Sequence, residues 1–367
     1  MALSLGIVGL PNVGKSTLFN ALTRAQNAEA ANYPFCTIEP NKATVTVPDK
    51  RVDALTALVK PAKTIYATVD FVDIAGLVRG ASKGEGLGNQ FLANIRECAA
   101  IVEVVRCFED ENITHVDGTI DPLRDADTIE TELLLADLET AEKRLDTLKK
   151  KSKFDKEMQK AAPPLEALVA HLKKGEPGST FAVPELNEPF HQVWRELSLL
   201  TSKKFIYCAN VDENGIGEDN RHVKALRSLA DSRGCPLVKI CARLEEELQA
   251  LPENEQVELL ESYGIEENGL ENVIRIGYRT LGLASFLTAG PKEVRAWTFK
   301  QGWKAPQTAG VIHTDFEKGF IRAEVISFDD YMKYKSEAAC RAAGVLRVEG
   351  KDYVVQDGDM MNFLFNV

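Results

Sequence analysis

Gly9-Leu10-Pro11-Asn12-Val13-Gly14-Lys15-Ser16-Thr17 is the stretch on which the reading of this chain turns. It has the form G-x-x-x-x-G-K-[ST], and its flanks matter as much as its pattern. Residues 5–8 before it are a short apolar run of strand character. Residues 15–24 after it set Leu18, Phe19 and Leu22 along one side of a helix. A strand, a glycine loop and a helix in that order turn successive backbone N–H groups toward an anion at the positive end of a helix dipole. Gly14 gives the backbone the freedom to curl. Asn12, Val13, Gly14, Lys15, Ser16 and Thr17 are therefore expected to hold the phosphates of a nucleoside triphosphate. Lys15 reaches the β- and γ-phosphates and the Ser16 hydroxyl coordinates Mg²⁺.

Working outward, further parts of such a machine follow in order. Asp73-Ile74-Ala75-Gly76 ends an apolar run at 67–74. That placement lets the Asp73 carboxylate hold Mg²⁺ through water and lets the Gly76 N–H sense the γ-phosphate. Thr37 lies where a first switch loop would supply a Mg²⁺-binding hydroxyl; the other reading is an ordinary loop threonine. Gly84-Glu85-Gly86-Leu87-Gly88 has the wrong spacing for a dinucleotide loop, and with Gly80 it reads as a second switch.

Strand and helix alternate through the first hundred residues, with strands at 43–47, 67–74 and 101–105 and helices at 52–59 and 89–98. Further strands fall at 204–209 and 237–241. The pattern predicts an α/β P-loop domain, a mainly parallel sheet with helices on both faces, over residues 1–280. Between 128 and 150 there is no Pro or Gly, and Leu134, Leu138, Ala141, Leu145 and Leu148 form a heptad seam. Pro163-Pro164 precedes a second helix with Leu165, Leu168 and Leu172. A coiled-coil hairpin inserted at about 110–200 is the simplest arrangement. Its connection carries Lys149, Lys150, Lys151, Lys153, Lys156 and Lys160. These lysines are either a solvated helix face or a phosphate-contacting tip.

Residues 281–367 change character again. Strands at 294–300, 320–326, 352–355 and 361–365 and a helix at 336–343 predict a small α+β domain. Lys292, Arg295, Trp297, Lys300, Lys304, Lys318 and Arg322 mix base and aromatic. That suits RNA contact with stacking, or else a core tryptophan under a charged solvent face.

The bulk numbers set bounds. The 367 residues carry a formal charge of −11, so any nucleic-acid contact must be local. Seven cysteines without Cys-x-x-Cys spacing read as reduced thiols. No apolar run is long enough to span a membrane, and residues 2–9 lack the charged start of a signal peptide. A cytosolic protein is expected.

Residues 9–17, Asn32-Tyr33-Pro34-Phe35-Cys36-Thr37, residues 73–76 and the glycine-rich switch together resemble the Obg family of translation-associated GTPases. His115-Val116-Asp117-Gly118, Asp121-Pro122, Asn210-Val211-Asp212-Glu213 and His313-Thr314-Asp315-Phe316-Glu317-Lys318-Gly319-Phe320 narrow the resemblance to its YchF, or Obg-like ATPase, branch. The resemblance runs over essentially the whole chain. It implies a G domain, an inserted helical hairpin and a C-terminal, β-grasp-like TGS domain. It also implies association with the ribosome, through its large subunit or ribosomal RNA, and a preference for ATP.

Three positions bear on chemistry. Where a Ras-like switch has its water-orienting Gln, this chain has Leu77, which cannot hydrogen-bond. Asn12 lies where similar proteins use an Asn to help coordinate K⁺ beside the phosphates. His115, in a loop after a sheet strand, either swings toward the nucleotide as a catalytic group or packs its own loop. A scaffold that senses nucleotide and barely hydrolyses it is the competing class. For the base, Asn210 suits either purine, while Val211 and Glu213 replace the Lys and Asp of a guanine-specific Asn-Lys-x-Asp. Adenine is expected to be preferred.

Overall fold

β1 (Ser4–Val8) is buried at every residue, as a strand covered on both faces must be. The computed structural model describes residues 3–30, 41–74, 87–151, 156–265 and 268–366. β4 (Thr68–Asp73) runs parallel to β1 on one side, with Leu5 opposite Phe71 and Ile7 opposite Asp73. β5 (Ala100–Arg106), buried throughout, runs parallel on the other. β6 (Lys204–Asn210) and β7 (Leu237–Ile240) extend the parallel run, and β2 (Lys42–Thr46) lies beyond β4. The order is β2-β4-β1-β5-β6-β7. Because β1 lies between β4 and β5, the loop leaving its C-terminal end opens at the centre of the sheet edge, where open α/β sheets bind ligands.

The chain divides into two compact units, Met1–Ala43 with Asp70–Val273, and Thr44–Val69 with Ile274–Val367. The segment at 44–69, which the sequence pattern groups with the P-loop domain, clusters instead with the C-terminal residues. Its β3 (Lys63–Ile65) pairs parallel with β9 (Glu293–Lys300), and α2 (Lys50–Val59) packs on β9 and on β8 (Leu283–Ala289). Three residues were too short a run to read as a strand.

In the first unit α1 (Lys15–Ala30) follows the P-loop and α3 (Leu87–Glu97) precedes β5. α4 (Pro122–Lys151) has 30 residues, about 45 Å of helix. It starts earlier than the unbroken run at 128–150 suggests, because Pro122 sits at its first position, where no N–H is needed. The Asp121 carboxylate accepts from the N–H groups of Leu123 and Arg124. After α5 (Lys156–Gln159) comes α6 (Ala162–Lys173), whose first turn contains Pro163 and Pro164 rather than following them. Ala141, Leu145 and Leu148 of α4 meet Leu165, Leu168 and Leu172 of α6. Leu134 and Leu138, expected in the seam, are only partly buried. A third helix, α7 (Glu188–Leu197), adds Phe190, Val193 and Leu197 to this core, so the insertion is more than a hairpin. Its 3/4 spacing was present in the sequence, behind a Pro that reads as a breaker. α8 (Arg221–Ser232), α9 (Ala242–Leu248) and α10 (Glu253–Ser262) complete the unit.

The second unit is a mixed sheet, ordered β11-β10-β12-β8-β9-β3, adding β10 (Phe320–Ile326), β11 (Arg347–Glu349) and β12 (Met360–Phe365). Phe286, Phe299, Phe320, Val325 and Phe363 fill its core with Ala305 and Ala309 of α12 (Ala305–Ala309). α11 (Gly269–Thr280) leads into β8, and α13 (Thr314–Lys318), α14 (Phe328–Tyr334) and α15 (Glu337–Ala342) complete it. The strand expected at 352–355 is absent: the Tyr353 N–H turns back to the Gly350 carbonyl, leaving one bridge between Val354 and Lys304.

Candidate phosphate site

The P-loop is built by backbone conformations that few residues tolerate. Asn12 has φ +62° and Gly14 φ +93°. A Cβ on Gly14 would stand 2.1 Å from the Asn210 Nδ2, so no side chain fits there. Val13 is buried and anchors the loop from below. α1 carries no acidic residue in its own first turn, which leaves its positive end open to an anion from elsewhere. The Lys15 ammonium, largely buried, pairs with the Asp73 carboxylate. Asp73 is held where β4 ends by its N–H bond to the Asn41 carbonyl, 2.8 Å. Ser16 is exposed and Thr17 half-buried. The structure thus brings Asp73, 58 residues further along the chain, to Lys15 and its neighbour Ser16: a cation, a hydroxyl and a carboxylate at a helix N-terminus. Hydroxyl and carboxylate are the hard oxygen donors that Mg²⁺ takes. Thr37, Gly76, Leu77 and the glycines at 80, 84 and 86 lie outside the described residues.

Beside the P-loop, Asn210 ends β6 and is buried. Its Nδ2 donates to the Val13 carbonyl at 2.8 Å, and its Oδ1 accepts from the Ala242 N–H at 3.0 Å. One amide so ties the P-loop to the start of α9, leaving one N–H and one lone pair for a base. Val211 is 3% exposed and belongs to the core cluster of Val105, Tyr207, Val223 and Leu244. Asp212 accepts from the Gly215 N–H and shapes the short turn that follows. Glu213 points outward, with the exposed Arg243 guanidinium 3.9 Å away. Ala242 and Arg243 belong to the site by contact and had no motif to announce them.

His115 is not free to swing. It is buried, its Nδ1 accepts from the Asp117 N–H at 3.1 Å, and its Nε2 lies 2.8 Å from the Asp125 carboxylate. Since a backbone N–H can only donate, Nδ1 carries no proton and Nε2–H donates to Asp125. Of the two sequence readings of His115, this geometry is the loop-packing one. The loop itself lies against the phosphate site, because the Asn12 Nδ2 donates to the Thr114 carbonyl at 3.1 Å. Arg106, 1% exposed at the end of β5, donates to the carbonyls of Phe108, Asp110 and Ile113 and holds that loop in shape. His115, Asp117 and Asp125 would have metal-ligand proximity. The Arg124 guanidinium pairs with both carboxylates, so hydrogen bonds account for the cluster.

Two buried acids stand near these elements. Burial drives the Glu103 carboxyl well above the carboxylate range, with neither oxygen hydrogen-bonded. Glu245 on α9 is pushed up to about 7 by burial, against N–H donors from Gly269 and Leu270 that pull it down. Burial likewise raises the thiols of Cys107, Cys208 and Cys241, which makes them packing groups and poor nucleophiles.

The basic patches divide. Lys149 pairs with Glu166 at 2.7 Å and Lys150 is exposed; the side chains of Lys151, Lys153 and Lys156 lie outside the described residues. The half-buried Trp297 ring already has partners. Arg295 covers one face at 3.7 Å, Phe286 lies parallel with ring centres 6.1 Å apart, and Nε1 donates to Thr288. Among the described residues no helix is long and apolar enough to cross a membrane.

Comparison with known proteins agrees over the whole chain. Residues 4–137 match the family model of the 50S ribosome-binding GTPases. Residues 283–366 match the YchF GTPase C-terminal model, described as a protein of unknown function. The chain is 53% identical over 368 residues to the ribosome-binding ATPase YchF of Pasteurella multocida, covering 100% of each chain. It is 50% identical over 370 residues to that of Bacillus subtilis, again covering 100% of each. The solved structure of the Schizosaccharomyces pombe YchF GTPase superposes with a TM-score of 0.87 at 40% identity, covering 99% of this chain and 97% of that one.

Proposed function

Because the chain belongs to the YchF family, we propose that it is a Mg²⁺-dependent P-loop ATPase that binds ribosomes and switches with its nucleotide state. The observation that carries this is the meeting of Lys15, Ser16 and Asp73 at the N-terminus of α1. Magnesium would be held by the Ser16 hydroxyl, by Asp73 through water and by Thr37, and would supply positive charge against the phosphates. Lys15, released from Asp73, takes the same phosphates. Hydrolysis forms a bond from water oxygen to the γ-phosphorus and breaks the bridging bond, giving ADP and phosphate. With Leu77 in the switch, no side chain of the Ras kind orients that water, and the intrinsic reaction belongs on the slow scale, about 10⁻⁴ s⁻¹.

Three finer assignments rest on the same site. Asn12, whose Nδ2 is engaged by Thr114, would offer its amide oxygen to K⁺. Gly76 would read the γ-phosphate, and His115 would support hydrolysis through its loop. ATP is preferred to GTP, since the Glu213 carboxylate replaces the Asp that reads guanine. The names of the relatives, ribosome-binding ATPases, support ribosome association and a cytoplasmic site of action. We place the contact on the large subunit and its RNA through the lysines of the inserted helices, the arm, and a TGS-type C-terminal domain, and the G domain within residues 1–280, apart from the segment at 44–69 that clusters with the C-terminal unit.

Single-turnover ATP hydrolysis, with and without ribosomes and potassium, tests the proposal. Slow basal turnover that rises with both is expected, with Lys15→Ala abolishing nucleotide binding in a folded protein. Undiminished binding by Lys15→Ala would remove the site; turnover indifferent to ribosomes would favour the scaffold.

A further inference from the structure

One continuous set of contacts joins the phosphate loop to the long helix of the arm. The P-loop's Asn12, in the left-handed conformation, donates to the Thr114 carbonyl. The next residue, His115, donates through Nε2 to Asp125 in the first turn of α4, and the two side chains are only 3% and 2% exposed. Arg106 holds the near side of the same loop through three carbonyls. On the far side, Arg124 donates to Asp125 and to the Thr119 carbonyl.

We propose that Asp125 is a positioning residue for ATP hydrolysis, acting through His115 on the loop that braces Asn12. This rests on the reading of the site as an ATPase centre supported by the His115 loop. Three observations carry it. Both ring nitrogens of His115 are engaged, so in this geometry the imidazole fixes a loop and transfers no proton. Asp125 is buried and accepts from both His115 and Arg124, so the loop has one orientation. Finally, Thr114 is the loop residue that touches the P-loop, and it is bonded directly to His115. A shift at Asp125 therefore passes through the His115 ring to the Thr114 carbonyl, and on to the Asn12 amide beside the phosphates. Since Asp125 lies in the first turn of α4, the same contact ties that helix to the loop that braces Asn12.

The test is a double-mutant cycle on the full-length chain, with single-turnover rate and ATP affinity measured separately. Asp125→Ala is expected to slow hydrolysis on the order of tenfold to a hundredfold, the scale of an Å-sized misplacement, while ATP affinity stays near native. Asp125→Asn, which keeps an oxygen to accept from Nε2–H, should recover most of the rate. His115→Ala should be slow to the same degree, and the double variant no slower than either single one. Native turnover in Asp125→Ala beside a slow His115→Ala would overturn the role of Asp125 alone. Native turnover in His115→Ala would overturn the ATPase reading of His115 and this proposal with it. Additive losses, or a matching loss of ATP affinity and thermal stability in Asp125→Asn, would make Asp125 a structural residue and overturn it as well.

Discussion

At position 210 a single amide ties the P-loop to the start of α9, so in the proposed site it would couple phosphate binding to base reading at the scale of one residue. Its neighbours show how far a motif can be read without coordinates. That Val211 and Glu213 differ from a guanine site was plain from the sequence. That Val211 is a core residue was not, because an apolar residue after a strand looks the same buried or exposed. Restoring the guanine-type lysine at 211 would bury an ammonium among Val105, Tyr207 and Leu244, so the clean probe of base preference is Glu213→Asp alone. Calorimetry should find ATP tighter than GTP in the native chain, and the ratio should shift toward GTP by about three- to tenfold in Glu213→Asp, one hydrogen bond's worth. GTP tighter in the native chain would sink the assignment. Glu245 gives a second test. Its folded carboxyl, raised from an ordinary 4.5 to about 7, holds its proton more tightly than in the unfolded chain. Stability contributed by this group therefore falls as pH rises from about 4.5 to about 7 and is level above that. Glu245→Gln should leave the unfolding midpoint unchanged near pH 4. At pH 8 it should raise stability by up to about 3 kcal/mol, since the Oε2 it replaces has no partner. A variant no more stable at pH 8 than the native chain would refute it.

Among elements, those with strong periodicity were legible and those defined by their partners were not. The buried run of β5 and the 3.6-residue pattern of α4 announce themselves. β3 and β11, three residues each, exist only because longer strands lie beside them. Arg106 was lost for a related reason: a charge after an apolar strand reads as the strand's end, whereas here it is the buried staple of the next loop. The arm gives the element-scale prediction. Lys149 already has a partner in Glu166, but both side chains are 52% exposed, so that pair is a weak one. Replacing Lys149, Lys150, Lys151 and Lys153 by Glu should weaken cosedimentation with ribosomes and flatten its salt dependence, because each phosphate contact adds to the slope. Unaltered binding and slope would leave these lysines as a solvated face.

For the whole molecule, order along the chain and membership of a unit part company at 44–69. Alternating strand and helix over 1–280 reads as one domain, and nothing local says otherwise, since β3 and α2 have ordinary sequences. Their partners are about 230 residues away or more: Lys63 lies opposite Glu293, the Ala62 N–H donates to the Pro291 carbonyl, and Arg51 pairs with Asp357, 306 residues on, at 3.0 Å. Long-range pairing of this kind leaves no periodic signal, which is why the boundary near 280 looks clean in sequence. It also makes that boundary a poor place to cut. A fragment of residues 1–280 keeps α2 and β3 but loses β8 and β9, baring Val52 and Leu55, both fully buried in the whole chain. At about 1.5–3 kcal/mol for each side chain returned to water, the unfolding midpoint should fall by about 10 °C. The fragment should also bind a hydrophobic dye that the full chain excludes. Calorimetry and dye fluorescence on the two, side by side, decide the matter. A fragment that melts with the full chain and stays dark would mean that 44–69 needs nothing from beyond residue 280.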